Sequence, residues 1–109
     1  MVNRKTIDEL KYAVNNRLTI KVKMKHGLGD NLEIEIDPYI IGSDLMQYDF
    51  IWGYISHSRT FYKLMLNFVQ SIKLTSKNFK TLPKTVYLYS NEEDHYESVD
   101  DITIYGLGL

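Results

Sequence analysis

The stretch "LTIKVKMKHGLGDNLEIEID", Leu18 to Asp37, decides the fold class. Leu18, Ile20, Val22 and Met24 alternate with Thr19, Lys21, Lys23 and Lys25. Leu32, Ile34 and Ile36 alternate with Glu33, Glu35 and Asp37. A period of two puts each apolar set on one face of a strand. The intervening "HGLGDN" is turn chemistry, so the stretch predicts an antiparallel hairpin with one buried face. Matching apolar faces admits registers of one parity only. In one, Lys25, Lys23 and Lys21 oppose Glu33, Glu35 and Asp37; in the other, Lys23 and Lys21 oppose Glu33 and Glu35. Either way acids face the lysine row and offset the field a phosphate backbone would meet.

Working outward, "TIDELKYAVNN" places Thr6 three residues before Glu9, the spacing of a capping box. Ile7, Leu10, Ala13 and Val14 make one apolar stripe, predicting a short helix over about Thr6 to Asn15. After the hairpin, Pro38 cannot donate to a ladder and predicts a break, then a short strand Tyr39–Ile41 and a turn over Gly42–Asp44. "FIWGYI" is apolar on both faces, which requires cover on both. "SHSR" is a tight turn, "TFYKLML" its return strand, and "NFVQSIKL" a turn with a last short strand. "TSKNFKTLPK" reads as polar connecting chain. "VYLYS" and "ITIY" are two further strands around the acidic loop "NEEDHYESVDD". One helix and about five short strands predict a mainly β fold, a small barrel that removes its own edges, with a C-terminal β extension.

The 109 residues are read as one domain, residues 1–109, without internal repeats. There is no cysteine, hence neither a disulfide framework nor thiolate chemistry. The N-terminus lacks the apolar run of a signal peptide, and no stretch is long and apolar enough to span a membrane, so a cytoplasmic location is expected. Charge is divided along the chain. All 13 lysines and arginines lie at or before Lys84, while six of the 14 acids lie after residue 90. The body is therefore mildly basic and the tail acidic, either an interaction tail or a solvated loop.

Phe61, Lys63 and Met65 share one face of the predicted return strand, and Tyr62, Leu64 and Leu66 the other. A buried ammonium needs a partner, so Lys63 either snorkels from a barrel rim or lines a shallow pocket with Arg59, Asn67 and an aromatic such as Tyr48 or Tyr54. His26, His57 and His95 lack the spacing of a metal site, and His95 with Glu92, Glu93 and Asp94 would hold a cation only loosely. Ser56-His57-Ser58 makes no triad, and "HGLGD" and "YGLGL" lack the partners of a phosphate loop. A non-catalytic protein without metal or cofactor is expected. The acidic segment, with Glu92, Glu93, Asp94 and the aromatic Tyr96, suits a basic surface of a protein partner. The edge of "ITIY" could pair with a second copy.

The order helix, "LTIKVKM", turn, "IEIDPYII", then "FIWGYISHSRTFYKLMLNFVQSI" resembles the WYL domain, an SH3- or Sm-like barrel, over about Ile7 to Phe79. Residues 80–109 form the acidic extension. The resemblance implies a sensor and regulator that binds nucleotides or nucleic-acid ends through a basic cluster. The family's name triplet falls on Asp49-Phe50-Ile51, and its later arginine positions on Tyr62, Asn67 and Phe68, with Lys63 one residue away. Tyr, Asn and Phe do not reproduce arginine's planar fork. Two functions follow. One is a module that docks on a protein partner through the acidic segment, such as a phage-type inhibitor of a CRISPR effector. The other is a sensor of a nucleotide or single-stranded nucleic acid at Arg59, Lys63, Asn67 and Tyr62.

Overall fold

The computed structural model describes residues 4–26, 30–43, 49–80, 85–89, 95–98 and 103–107. A helix, α1 (Arg4–Asn16), precedes β1 (Leu18–His26), β2 (Asp30–Ser43), β3 (Asp49–Ile55) and β4 (Thr60–Met65). A one-turn 3-10 helix, Leu66–Phe68, leads into β5 (Val69–Asn78). Three short strands follow: β6 (Thr85–Tyr89), β7 (His95–Ser98) and β8 (Thr103–Leu107). The main sheet runs β4-β3-β2-β1-β5, every pair antiparallel, with β7 added to β2. This is the predicted mainly β, small barrel-like fold with an N-terminal helix, but among the described residues β4 and β5 do not pair, so the sheet keeps two edges.

The hairpin takes the second of its two admissible registers, Lys21 opposite Glu35 and Lys23 opposite Glu33. Its apolar face, Ile20, Val22 and Ile36, joins Ile41, Ile51, Leu64 and Leu66 in a core on which α1 lays Leu10, Ala13 and Val14. Fully burying each such aliphatic side chain contributes about 1.5–3 kcal/mol. The helix begins at Arg4, so Thr6 lies inside its first turn instead of capping it. It ends at Asn16, and the next residue, Arg17, has a left-handed φ of 53° and donates its N–H to Val14 O. Asn78 Nδ2 donates to Asn16 O at 3.0 Å and Phe79 N to Arg17 O at 2.9 Å, fastening the helix end to the end of β5.

Pro38 does not break the chain; β2 runs through it for 14 residues. The ladder to β1 stops at Ile36 and that to β7 begins at Ile40. Pro38 lies in the gap, where its missing N–H removes no bond on that side. Pairing to β3 passes from Pro38–Gly53 to Ile40–Trp52, so Tyr39 is an extra, bulged residue. The bulge reverses the alternation. Ile34 and Ile36 face the first core, and so does Ile41, whereas Tyr39 and Ile40 are buried in a second cluster with Trp52, Tyr54, Phe61 and Phe79. One strand thereby supplies two cores, which is the two-sided cover "FIWGYI" requires. Gly42 and Ser43 continue the strand where a turn is predicted, since both pair with β3 and β7.

The polar "TSKN" is likewise strand, not connecting chain. After a bulge in the β1–β5 pairing, Leu18 still opposes Asn78, and Thr75 Oγ1 donates to Thr19 O at 2.6 Å. An edge strand tolerates this polarity because one side faces water. The acidic tail also corrects a prediction. His95–Ser98 is not loop but a strand, pairing His95 with Ser43 and Ser98 with Ile40. The "VYLYS" and "ITIY" regions contribute β6 and β8, which pair in parallel.

At the corner of β2, the Thr19 hydroxyl donates to Asp37 Oδ1 at 2.6 Å. Burial pushes the Asp37 carboxyl above the ordinary carboxylate range; the Thr19 bond and Lys77 oppose this, and Glu35 adds to it. The folded chain thus holds this proton more tightly than the unfolded chain. For this group, stability rises as pH falls from the raised folded value to the unfolded value of about 3.9, and its cost is complete above that window. Asp37→Asn keeps an oxygen acceptor for Thr19 without the charge. Its melting temperature at pH 7 should match or exceed wild type, with a flatter pH profile across the window; a lower melting temperature at pH 7 would contradict the sign.

Candidate functional site

The hairpin of β3 and β4 places the predicted ligand residues. Opposed residues are Phe50–Met65, Trp52–Lys63, Gly53–Tyr62 and Tyr54–Phe61. Alternation puts Phe61, Lys63 and Met65 on one face and Tyr62 and Leu64 on the other, as predicted. The Lys63 face is aromatic. Trp52 stacks on Phe61 with centroids 5.5 Å apart and planes 8° from parallel. Tyr39 meets Phe61 edge-on at 5.7 Å and stacks on Phe79 at 5.2 Å. The Lys63 ammonium sits 4.3 Å from the ring centroid of Phe50, a fully buried residue. This is a cation–π contact, which favours a partly dehydrated ammonium. The Lys63 charge rests on the protein's own ring. Trp52 Nε1 is buried and finds no acceptor among the described residues.

The other three candidates stand elsewhere. Tyr62 lies on the opposite face from Lys63, opposite Gly53 and 43% exposed. Arg59 is exposed at the tip of the four-residue turn, with φ 54°, its N–H donating to Ser56 O at 3.4 Å. Asn67 is exposed in the 3-10 turn at the far end of β4. Six strand residues separate those ends, roughly 20 Å at the rise of an extended chain. Arg59, Lys63, Asn67 and Tyr62 therefore do not converge on one hollow. Of the aromatics considered beside them, Tyr54 joins the second cluster and Tyr48 lies outside the described residues.

Of the acidic segment, Tyr96 holds a register position in β7 opposite Gly42. Glu92, Glu93 and Asp94 lie outside the described residues. The prediction overlooked Trp52, Phe61 and Tyr39 as a connected aromatic array. The alternation of "FIWGY" against "TFYKLM" carries the signal for the first two, but the bulge that delivers Tyr39 has no local signature. Among the described residues no helix is long and apolar enough to cross a membrane.

Fold and face together define a small mainly β barrel with an N-terminal helix and a strand from the acidic tail added to its sheet. Among solved structures it is similar to Proteasome accessory factor B/C (PafBC) of Arthrobacter aurescens, with a TM-score of 0.64 and 15% identity. The match covers 71% of this chain and 12% of that chain. At this identity the likeness shows the fold alone, and the chain spans about an eighth of that protein's length. No protein-family model and no curated protein matches the chain.

Proposed function

We propose that this protein is a non-catalytic, WYL-like regulatory module that acts by docking on a protein partner. The observation that carries the reading is the strand His95–Ser98. It anchors the backbone of the acidic segment in the barrel sheet beside Ile40–Ser43, so the segment enters binding with part of its ordering cost already met. The partner face comprises Glu92, Glu93, Asp94 and Tyr96. Such a face fits a basic protein surface, including one that otherwise holds nucleic acid, as a cytoplasmic inhibitor of a CRISPR-type effector would require. The likeness of the fold to a small part of a protein named as an accessory factor is in keeping with a regulatory role.

Lys63 argues for docking over small-ligand sensing, because its ammonium is engaged by Phe50 and its three supposed companions lie apart. One observation favours the sensor as a second reading: the unpaired Trp52 N–H opposite Lys63 offers a donor to a bound acceptor. Two measurements separate them. Capture of a purified basic nucleic-acid enzyme, lost when Glu92→Gln, Glu93→Gln and Asp94→Asn are combined, supports docking. Nucleotide binding at low salt, abolished by Arg59→Ala with Lys63→Ala while capture is absent, supports the sensor and refutes docking.

A further inference from the structure

The strand β5 pairs with β1 on one side, and among the described residues nothing pairs with its other side. The β1–β5 pairing is regular from Ser71 to Leu74, between two register shifts. This edge is basic: β5 carries Lys73 and Lys77, both exposed, and no acid. Lys21 stands between Glu35 of β2 and Lys73, so β2 answers its charge. Lys73 has that lysine as its cross-strand neighbour and, among the described residues, no strand beyond it. Like charges directly opposite across strands repel. On the other face of the same edge, Leu74 is half-buried and packs against the core beneath α1. There an open groove of about 620 Å³ lies between Leu74 and the α1 side chains Arg4, Lys5, Asp8, Glu9 and Tyr12. Its rim charges balance, and Arg4 pairs with Asp8 at 4.0 Å. Its aromatic wall, Tyr12, is 55% exposed.

We propose that the β5 edge and the α1 groove together form a docking site for an extended acidic segment of a protein partner, which adds to the sheet as a strand. Such a strand satisfies both faces of the edge at once. Its main chain takes up the outward N–H and C=O groups of β5. Its side chains alternate between the two faces. Those beside Ser71 and Lys73 lie on the outward face, where a carboxylate offsets the repulsion between Lys73 and Lys21. Those beside Ile72 and Leu74 lie on the α1 side, where an apolar side chain enters the groove between Leu74 and Tyr12. The segment therefore alternates acidic and apolar residues. A second copy does not fit, because two β5 edges brought together add lysine to lysine with no acid on either. An edge lysine between bulges is how a sheet resists pairing with its own kind; here the same lysine selects an acidic strand. The site is separate from the acidic segment and from the aromatic face of Lys63.

The test titrates the isotope-labelled full chain with a synthetic peptide of about eight residues, alternating leucine and glutamate, and follows the amide NMR shifts. Shifts should concentrate on residues 71–74 and on Lys5, Asp8 and Tyr12. Lys73→Glu should weaken binding on the order of tenfold, since an attractive pair becomes a repulsive one. Tyr12→Ser, which removes the exposed wall of the groove, should weaken it by about as much. Both positions are exposed, and the same spectra show that each variant is folded. Alternate amides of a strand face opposite ways, so of two peptides, one N-methylated at its leucines and one at its glutamates, a single one should lose binding. Absence of shifts at residues 71–74 with roughly 1 mM peptide overturns the proposal. So does equal binding of an alternating leucine–lysine peptide, or equal binding of the two N-methylated peptides. A dimer in sedimentation that Lys73→Glu or Tyr12→Ser dissociates would give the edge to a second copy and overturn it too. The combined Glu92→Gln, Glu93→Gln and Asp94→Asn variant should bind the peptide as wild type does, so failure here leaves capture through the acidic segment standing.

Discussion

Gly53→Ala is expected to lower stability by about 3 kcal/mol, enough to move the urea midpoint down by about 2 M. A Cβ at this position would lie 2.5 Å from Ile36 Cγ1, 2.6 Å from its Cδ1 and 2.9 Å from Asp37 O. Each is below any ordinary contact. Ile36 is fully buried in the first core, and the Asp37 oxygen is backbone at the corner of β2. Neither can yield without moving the bulge that sorts side chains between the two cores. Ile36→Ala removes both offending side-chain atoms at its own cost of about 2–5 kcal/mol. The double variant should then lose less than the sum of the singles, with a coupling of about 1 kcal/mol or more. Additive losses would show that Gly53 is needed for some other reason; a wild-type midpoint for Gly53→Ala would refute the close approach itself.

Most of the barrel was legible because its signals are local. Strict alternation in Leu18–Met24 and Leu32–Ile36 left two registers, of which the structure takes one. The four-residue turn Ser56–Arg59 and its flanking strands followed from composition alone. What was not legible depends on partners distant in sequence. Pro38 reads as a stop because its missing N–H matters in a continuous ladder, and only the change of neighbours at Ile36 and Ile40 makes it harmless. His95–Ser98 reads as loop because four polar or aromatic residues have no apolar period; it becomes strand by borrowing the free edge of β2.

The same division holds for the candidate site. That Lys63 and Tyr62 face opposite ways follows from alternation, so Tyr62 joined Lys63, Arg59 and Asn67 through the family pattern alone and not through strand geometry. Sequence showed that Lys63 needed a partner; it could not show that the partner is the ring of Phe50, two residues from Trp52 on the neighbouring strand. The lysine row of β1 looked balanced because only β2 is adjacent in sequence. Lys73 enters through β5, which reaches β1 only after the chain has gone around the barrel.

Tyr39→Ala should cost about 3–5 kcal/mol, the range for removing a fully buried aromatic. Its ring is the hub of the second cluster, edge-on to Phe61 and stacked on Phe79 at an interplanar angle of 14°. Its hydroxyl donates to Lys80 O at 3.1 Å, so the residue also fixes the chain where it leaves β5. Tyr39→Phe isolates that bond and should cost only about 1 kcal/mol, because the Lys80 carbonyl belongs to an exposed residue and can turn to water. Trp52, the single tryptophan, reports on the same cluster through its stack on Phe61. In native buffer, the emission of the alanine variant should move to longer wavelength while that of the phenylalanine variant stays at the wild-type maximum. The aromatic face that carries Lys63 would then be shown to depend on the bulged residue. Should Tyr39→Ala unfold within 1 M urea of wild type with unchanged emission, the second core would not be a cooperative part of the fold, and Lys63 and Trp52 would sit on a surface free to rearrange around a ligand.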